Sequence, residues 1–557
     1  MASASRRLAA LATAGFLIIS PACADQFRTA AVTAVPVQWR AALDQLRSEI
    51  AAHPAVVDRF TFTPRYRVSS SDPRRVPAFM QLNAATSPIF PGIGQSPVPV
   101  LLPFDTAAFL DNRAGGDIEG PAPEPYQSGL TTDIFAAGPA GYDALFSLAP
   151  DAGGDALRGR TYARPIKIQI TGSVLVYDIA DPAADKGEPV RALAGRFPDL
   201  RRVIREGFVR YHFTRFGVPY VVSIRCHDSV PRAKRLACRE ASAVAEHVLR
   251  ALRIVGGQPA RIRPGSRPAD VALRPGAWSP DFTYRPPGEI IASSGYRQQG
   301  GLTDPTVYSQ IRFPLRDAPA YANSQSFLNW GDCFQRGRVP PPHRKGARYR
   351  CRTNDKPLVF DESAPENYAY PWQDNFCEAR DFEVGQCPAG YGHQGQDIRP
   401  ATCHLRNDGA DRCEPGNFPV VAARDGVLLR IPKHEAMTLL VNTPAEHIRF
   451  RYMHMDPRQL DADGMFSGRR VTEGEKLGLV SNFQDYHGGT TVHLHFDVQV
   501  FTREGWLWVN PYVTLISAYE RLIGGRGREL PEVAPSSEAA KPSSAAATAS
   551  EPAHRHD

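Results

Sequence analysis

Two short stretches of this chain bring together side chains that bind metals and move protons. The first, Thr490 to Val500, reads TTVHLHFDVQV. In an extended strand alternate residues share a face, so His493, His495 and Asp497 look one way while Val492, Leu494, Phe496 and Val498 look the other. The second, Gly390 to Pro400, reads GYGHQGQDIRP and carries His-x-Gly-x-Asp as His393, Gly395 and Asp397. Imidazole nitrogen and carboxylate oxygen are what Zn²⁺ accepts besides thiolate, and a catalytic zinc takes three protein ligands while its fourth position stays open for water. Gly395 favours a turn or irregular strand and argues against a helical His-x-x-x-His arrangement of ligands. Alone, His-x-His also suits the polar face of a half-exposed strand, and His-x-x-x-Asp arises by chance in many chains. The two together are a more specific signal.

The elements that must position these residues sit in a chain of 557 residues, long enough for two to four domains. Arg6 and Arg7, the apolar run from Leu8 to Ile19 and Ala22-Cys23-Ala24 have the form of a signal peptide over residues 1–24, with the mature chain starting near Asp25. A lipoprotein reading through Cys23 fits less well, because Ser20 and Pro21 precede it. The run is too short for a membrane helix, which needs about 20 residues, so no stable membrane insertion is expected after cleavage. Beyond Cys23 the cysteines are Cys226, Cys238, Cys333, Cys351, Cys377, Cys387, Cys403 and Cys413, an even set in four close sequential pairs. Local disulfides are the simplest pairing, and the absence of Cys-x-x-Cys speaks against a zinc cluster. This composition predicts a periplasmic or secreted protein. A net charge of +7 without a basic, aromatic-interleaved stripe argues against nucleic acid as a partner.

Residues 25–257 read as an α+β region of unassigned role. Apolar spacing predicts helices from Val37 to Ile50 and from Leu236 to Ile254, a helix again from Leu200 to Phe213, strands around Ile166–Val176 and a buried strand from Tyr220 to Arg225. Pro73 to Gly153, rich in Pro, Gly and Ala, reads as loops and short strands. Residues 258–384 read as a Pro-rich, disulfide-stapled linker, residues 385–520 as the unit carrying the chemistry, and residues 529–557 as a disordered tail of Pro, Ser, Ala and Glu.

From about Gln386 to Tyr512 the chain resembles the lysostaphin/LytM-type zinc metallopeptidases. The matching pieces follow the family's order: HQGQD at His393, VVAARDGVLLRI at Val420, YMHM at Tyr452, VTEGEKLGLVSN at Val471, HLHF at His493 and VNPY at Val509. The resemblance implies a mostly antiparallel β peptidase fold (a duplicated hybrid motif) behind the N-terminal α+β region, with one zinc per chain held by His393, Asp397 and His495. It makes His454 and His493 the catalytic histidines and leaves open which is the general base. His404, His434, His447 and His487 match no family position and read as ordinary surface or loop residues. Two departures flank the cleft: an insertion bracketed by Cys403 and Cys413, and a Gly488–Val492 loop unlike the family's usual turn.

The implied activity is hydrolysis of peptide cross-links in bacterial peptidoglycan, with stem peptides or cross-bridges as partners. The alternatives are a non-catalytic activator of a cell-wall amidase on the same fold and a secreted protease acting on glycine-rich proteins. Part of the Cys333–Cys387 segment is expected to pack near the cleft as a cover.

Overall fold

The computed structural model describes residues 32–53, 77–114, 129–149, 162, 165–179, 187–205, 207–226, 236–259, 310–318, 320–322, 332–334, 350–353, 356–357, 376, 393–400, 415–484 and 486–523. The signal peptide, most of the Cys333–Cys387 segment, the Cys403–Cys413 insertion and the tail lie outside the described residues. The described part is largely antiparallel β-sheet with a few helices.

In the N-terminal half a short strand, Val32–Ala34, leads into helix α1 (Trp39–Ile50), which forms as its apolar spacing predicts and buries Trp39, Ala42, Leu46 and Ile50. Pro73 to Gly153 departs from expectation: it contains α2 (Pro77–Thr86), α3 (Thr106–Ala114) and two long strands, β1 (Leu130–Gly138) and β2 (Gly141–Leu148). Its Gly and Pro mark the joints between elements, not their absence. Strands β3 (Ile166–Ser173), β4 (Glu188–Pro189), β5 (Arg201–Arg205), β6 (Phe208–Arg215) and β7 (Val218–Arg225) complete a seven-stranded sheet in the order β1-β2-β3-β7-β6-β5-β4. The helix predicted from Leu200 to Phe213 is therefore a β5–β6 hairpin. Gly207, at φ 73°, turns the chain, and Val209, Tyr211 and Phe213 alternate into the core as only a strand permits. The Leu236–Ile254 helix is narrower than predicted, spanning α4 (Ser242–Ala251), and is followed by a short strand, Arg253–Gly256. Cys226 and Cys238 form the expected local disulfide, and the strand register sets Cys333 opposite Cys351.

The C-terminal half is an eight-stranded sheet of β8 (Ala320–Ala322), β9 (Gln396–Pro400), β10 (Gly426–Leu429), β11 (Met437–Asn442), β12 (His447–Met453), β13 (Arg470–Val471), β14 (Leu494–Thr502) and β15 (Gly505–Val509). Its order is β8-β9-β14-β12-β11-β10-β13, with β15 paired to β14 beyond β9. Helix α5 (Tyr512–Ile523) closes the chain. One face of the sheet is apolar: Ile398, Ile448, Phe450, Tyr452, Leu494, Phe496, Val498 and Val500 pack with Ile311, Phe313, Leu315, Val420 and residues of α5.

The opposite face decides the architecture. Register puts Asp397 beside His495, Met453 beside His495, Arg451 beside Asp497, Arg449 beside Gln499 and Trp508 beside Gln499. Its lower half is covered by the polar face of the N-terminal sheet. Asp143 on β2 meets His447 at 2.8 Å and Arg449 at 2.6 Å, and accepts a hydrogen bond from the Thr171 hydroxyl at 2.7 Å. The Arg449 guanidinium also donates to Gln169 and lies 3.8 Å from the Trp506 ring centroid. Asn442 accepts from Ala140 N and donates to Gly141 O, while Leu429 and Leu440 pack on Ile134 and Leu145. His447, read from the sequence as a surface or loop residue, is thus fully buried between the sheets. Phe501 and Trp506 belong to the same apolar cluster as the N-terminal core.

Candidate functional site

The upper half of that mixed face carries the chemistry. Strands β9 and β14 run side by side, so Asp397 and His495 are register partners, and His393 enters just before β9 begins. The approach is close enough to require glycine at position 395. A Cβ there would lie 2.7 Å from Phe496 O, 2.8 Å from His495 Nε2 and 3.0 Å from Asp497 Cβ.

His393, Asp397 and His495 converge. His393 Nε2 lies 2.8 Å from His495 Nδ1 and 3.0 Å from Asp397 Oδ1, and His495 Nδ1 lies 3.2 Å from Asp397 Oδ1. Among the described residues they form the group of three His, Cys, Asp or Glu side chains placed to hold a metal ion, all buried. Zinc ligands about 2.0–2.2 Å from the ion at tetrahedral angles stand roughly 3.3–3.6 Å apart. The three donors reach that spacing by spreading a few tenths of an ångström, and two imidazoles with one carboxylate are a donor set zinc takes. The residues fit the ion. Burial alone would raise the Asp397 carboxyl, but His393 and His493 outweigh it and hold Asp397 well below the usual carboxylate range. It is therefore an anionic donor.

The other two histidines flank the group. His493 Nε2 is 3.4 Å from Asp397 Oδ1 without a hydrogen bond, and the His454 and His493 ring centroids are 4.6 Å apart. Backbone carbonyls fix both tautomers. Thr491 O stands 2.7 Å from His493 Nδ1, and Phe483 O stands 3.0 Å from His454 Nδ1. Carbonyls only accept, so Nδ1 of each ring carries a proton, and in the neutral tautomer the lone pair sits on Nε2. Burial first, then the neighbouring His493 and His495, hold His454 well below the usual histidine range. His454 also has a left-handed backbone, φ 71°, which non-glycine residues rarely adopt and which surrounding structure must enforce.

The loop around these carbonyls is itself braced. Arg399 on β9 donates to Thr491 Oγ1 at 2.8 Å, tying the Gly488–Val492 loop to the strand of Asp397. Phe483 sits on a hairpin whose arms are Phe483–Gln484 and Tyr486–His487. The Gly488–Val492 loop is thus the one that orients His493.

All five residues predicted from sequence, His393, Asp397, His454, His493 and His495, come together on one face of the sheet. Sequence reasoning missed their support. Asp497 Oδ2 lies 3.4 Å from His495 Nε2, at the long limit of a hydrogen bond and without hydrogen-bond geometry. Asp497 in turn accepts hydrogen bonds from Arg451 and Gln499. The shared face of His495 and Asp497 was readable from the alternation. Arg451 was not, because only the pairing of β12 with β14 brings it there.

No protein-family model and no curated protein matches the chain. Among solved structures it is similar to a candidate glycyl-glycine endopeptidase lytM from Ruminococcus gnavus ATCC 29149, at 22% identity over 24% of this chain and 48% of that one, with a TM-score of 0.17. It is also similar to the antimicrobial peptidase lysostaphin from Staphylococcus simulans, at 19% identity over 31% of this chain and 58% of that one, with a TM-score of 0.18. The chain spans about half the length of these structures. Likeness at this level leaves the activity to the residues themselves.

Proposed function

We propose that this protein is an exported zinc-dependent endopeptidase that hydrolyses peptide cross-links of bacterial peptidoglycan. The observation that carries the reading is the convergence of three candidate ligands with two histidines whose lone pairs are set by backbone carbonyls. The substrate class rests on the ordered motifs in the sequence.

His393, Asp397 and His495 would hold the ion. Zinc there supplies Lewis acidity toward a scissile carbonyl and brings the pKa of water toward neutrality. The protein's own groups handle the protons. With Nδ1 bound to a carbonyl, the Nε2 of His454 or His493 in its neutral tautomer offers a base to an attacking water. A ring that has accepted the proton becomes a donor at Nε2, able to hold the developing oxyanion or return the proton to the leaving amine. Burial of the whole group strengthens these interactions by excluding water.

The test is metal content of the purified mature chain together with digestion of sacculi and mass spectrometry of the released fragments. About one zinc per chain and cleavage at a single bond type, lost in His393→Ala, is the expected result. A zinc-loaded protein that leaves sacculi and purified muropeptides intact would exclude the peptidoglycan reading. Cleavage of a glycine-rich polypeptide alone would move the substrate to protein.

A further inference from the structure

The N-terminal sheet packs on the same face of the C-terminal sheet that carries the candidate metal ligands, and an unbroken line of side chains connects the two. Arg210 on β6, 5% exposed, places its guanidinium 4.3 Å from the Trp508 ring centroid and donates to Trp506 O. The guanidinium of Arg451 lies 5.9 Å from the same Trp508 ring and donates from Nε to Asp497 Oδ2. Asp497 Oδ2 faces His495 Nε2 at 3.4 Å, and the other nitrogen of that ring, Nδ1, points at His393 and Asp397.

We propose that Asp497, Arg451 and Arg210 are positioning residues for His495, so that the N-terminal sheet is part of the support of the candidate metal centre and not a detachable spacer. The proposal rests on the zinc-site reading above and adds to it a role for the residues upstream of 258.

The physical case has three parts. A histidine bound to metal through one nitrogen is oriented and made more basic by a carboxylate at the other. His495 Nε2 is buried with no hydrogen bond of its own, so Asp497 is the acceptor its N–H requires once Nδ1 is committed to a ligand. Asp497 is fully buried, and its carboxylate accepts hydrogen bonds from Arg451 and Gln499, which fix where it faces His495. The Trp508 ring flanks the Arg451 guanidinium, and Arg210 stacks on the same ring from the N-terminal sheet. Asn442 bridges the same two sheets by hydrogen bonds to Ala140 and Gly141, off the line to His495. It provides an internal control.

The experiment uses the mature full-length protein. Zinc affinity is measured by competition with a chromophoric chelator, and the visible absorption of protein loaded with Co²⁺ reports ligand geometry independently of activity. Asp497→Asn is expected to weaken zinc binding by about ten- to a hundredfold and to move the cobalt bands. Arg451→Met should act in the same direction, with Arg451→Lys restoring part of the loss, and Arg210→Met should give a smaller loss. Asn442→Ala should leave both readouts at the wild-type value. If Asp497→Asn does not fold by circular dichroism, the Arg451 pair decides. Wild-type affinity and unchanged cobalt bands in folded Asp497→Asn, or otherwise in Arg451→Met, overturn the proposal. Equal effects from Asn442→Ala overturn it too, by reducing the relay to general interface packing. An Arg210→Met protein indistinguishable from wild type removes the part assigned to the N-terminal sheet. A wild type that binds neither metal overturns the zinc reading itself, whereas one that binds both while every variant binds equally overturns this inference alone.

Discussion

At the scale of residues the site separates holding a metal from moving a proton. His393, Asp397 and His495 point donors at one another, whereas His454 and His493 are pinned by carbonyls with Nε2 left over. His493→Ala and His454→Ala should each retain zinc yet lose about 10²- to 10⁴-fold in turnover of a muropeptide substrate. Loss of metal along with activity in either variant would reassign that residue to the ligand set. Zinc affinity should also fall as pH is lowered. His495 in the metal-free protein is lowered by burial but raised more strongly by Asp397 and Asp497, so its net shift is upward. A proton then competes with the ion over the range where that ring titrates, and affinity is greatest above it. Chelator competition at pH 7.5 and pH 5.5 checks the direction.

At the scale of elements the centre depends on two strands lying unusually close. Gly395 admits β14 against β9, and a methyl group there would meet Phe496 O, His495 Nε2 and Asp497 Cβ together. Gly395→Ala is therefore expected to cost about 1–3 kcal/mol by overpacking and to weaken zinc binding. Urea unfolding and chelator competition on one sample test both effects, and a variant that matches wild type in both would show that the strands have room to part. The glycine's role was legible in the sequence because His-x-Gly-x-Asp asks for a close backbone approach. The tautomers of His454 and His493 were not, because their partners are the carbonyls of Phe483 and Thr491, and backbone acceptors leave no mark in residue type.

At the scale of the whole molecule two sheets share a polar, desolvated interface. Asp143 is its centre, contacting His447, Arg449 and Thr171 with all four side chains buried. Removing one member of such a pair leaves a buried charge uncompensated, so Asp143→Asn should cost about 3–5 kcal/mol at neutral pH. Burial raises the Asp143 carboxyl, but Arg449 and His447 outweigh it and the net shift is downward. A carboxyl whose folded pKa is depressed stabilises the fold above its unfolded pKa, about 3.9, and that contribution fades as pH falls toward the folded value. The difference between wild type and Asp143→Asn should accordingly shrink below about pH 4, as urea unfolding at pH 7 and pH 3 would register. A gap that persists unchanged in acid would place the stabilisation elsewhere. The same interface predicts that a chain starting near Val384 is poorly folded, because it exposes Phe501, Trp506, His447 and Arg449 together. Circular dichroism and soluble yield of that fragment test it.

From sequence alone, the alternation set His493, His495 and Asp497 on one face and His-x-Gly-x-Asp offered His393 and Asp397, while the resemblance carried by the ordered motifs implied the full set with His454. Ligand spacing and strand period are local properties, carried by a few adjacent residues. The same period sets Lys167, Gln169 and Thr171 on one face of Ile166–Ser173 and leaves open what that face meets. The tertiary structure decided it, laying Gln169 and Thr171 against Arg449 and Trp506. It also turned Leu200–Phe213 from a predicted helix into a hairpin and buried His447. A polar strand face reads the same whether it faces solvent or a second polar face, because the hydrogen bonds that make burial tolerable come from residues hundreds of positions away.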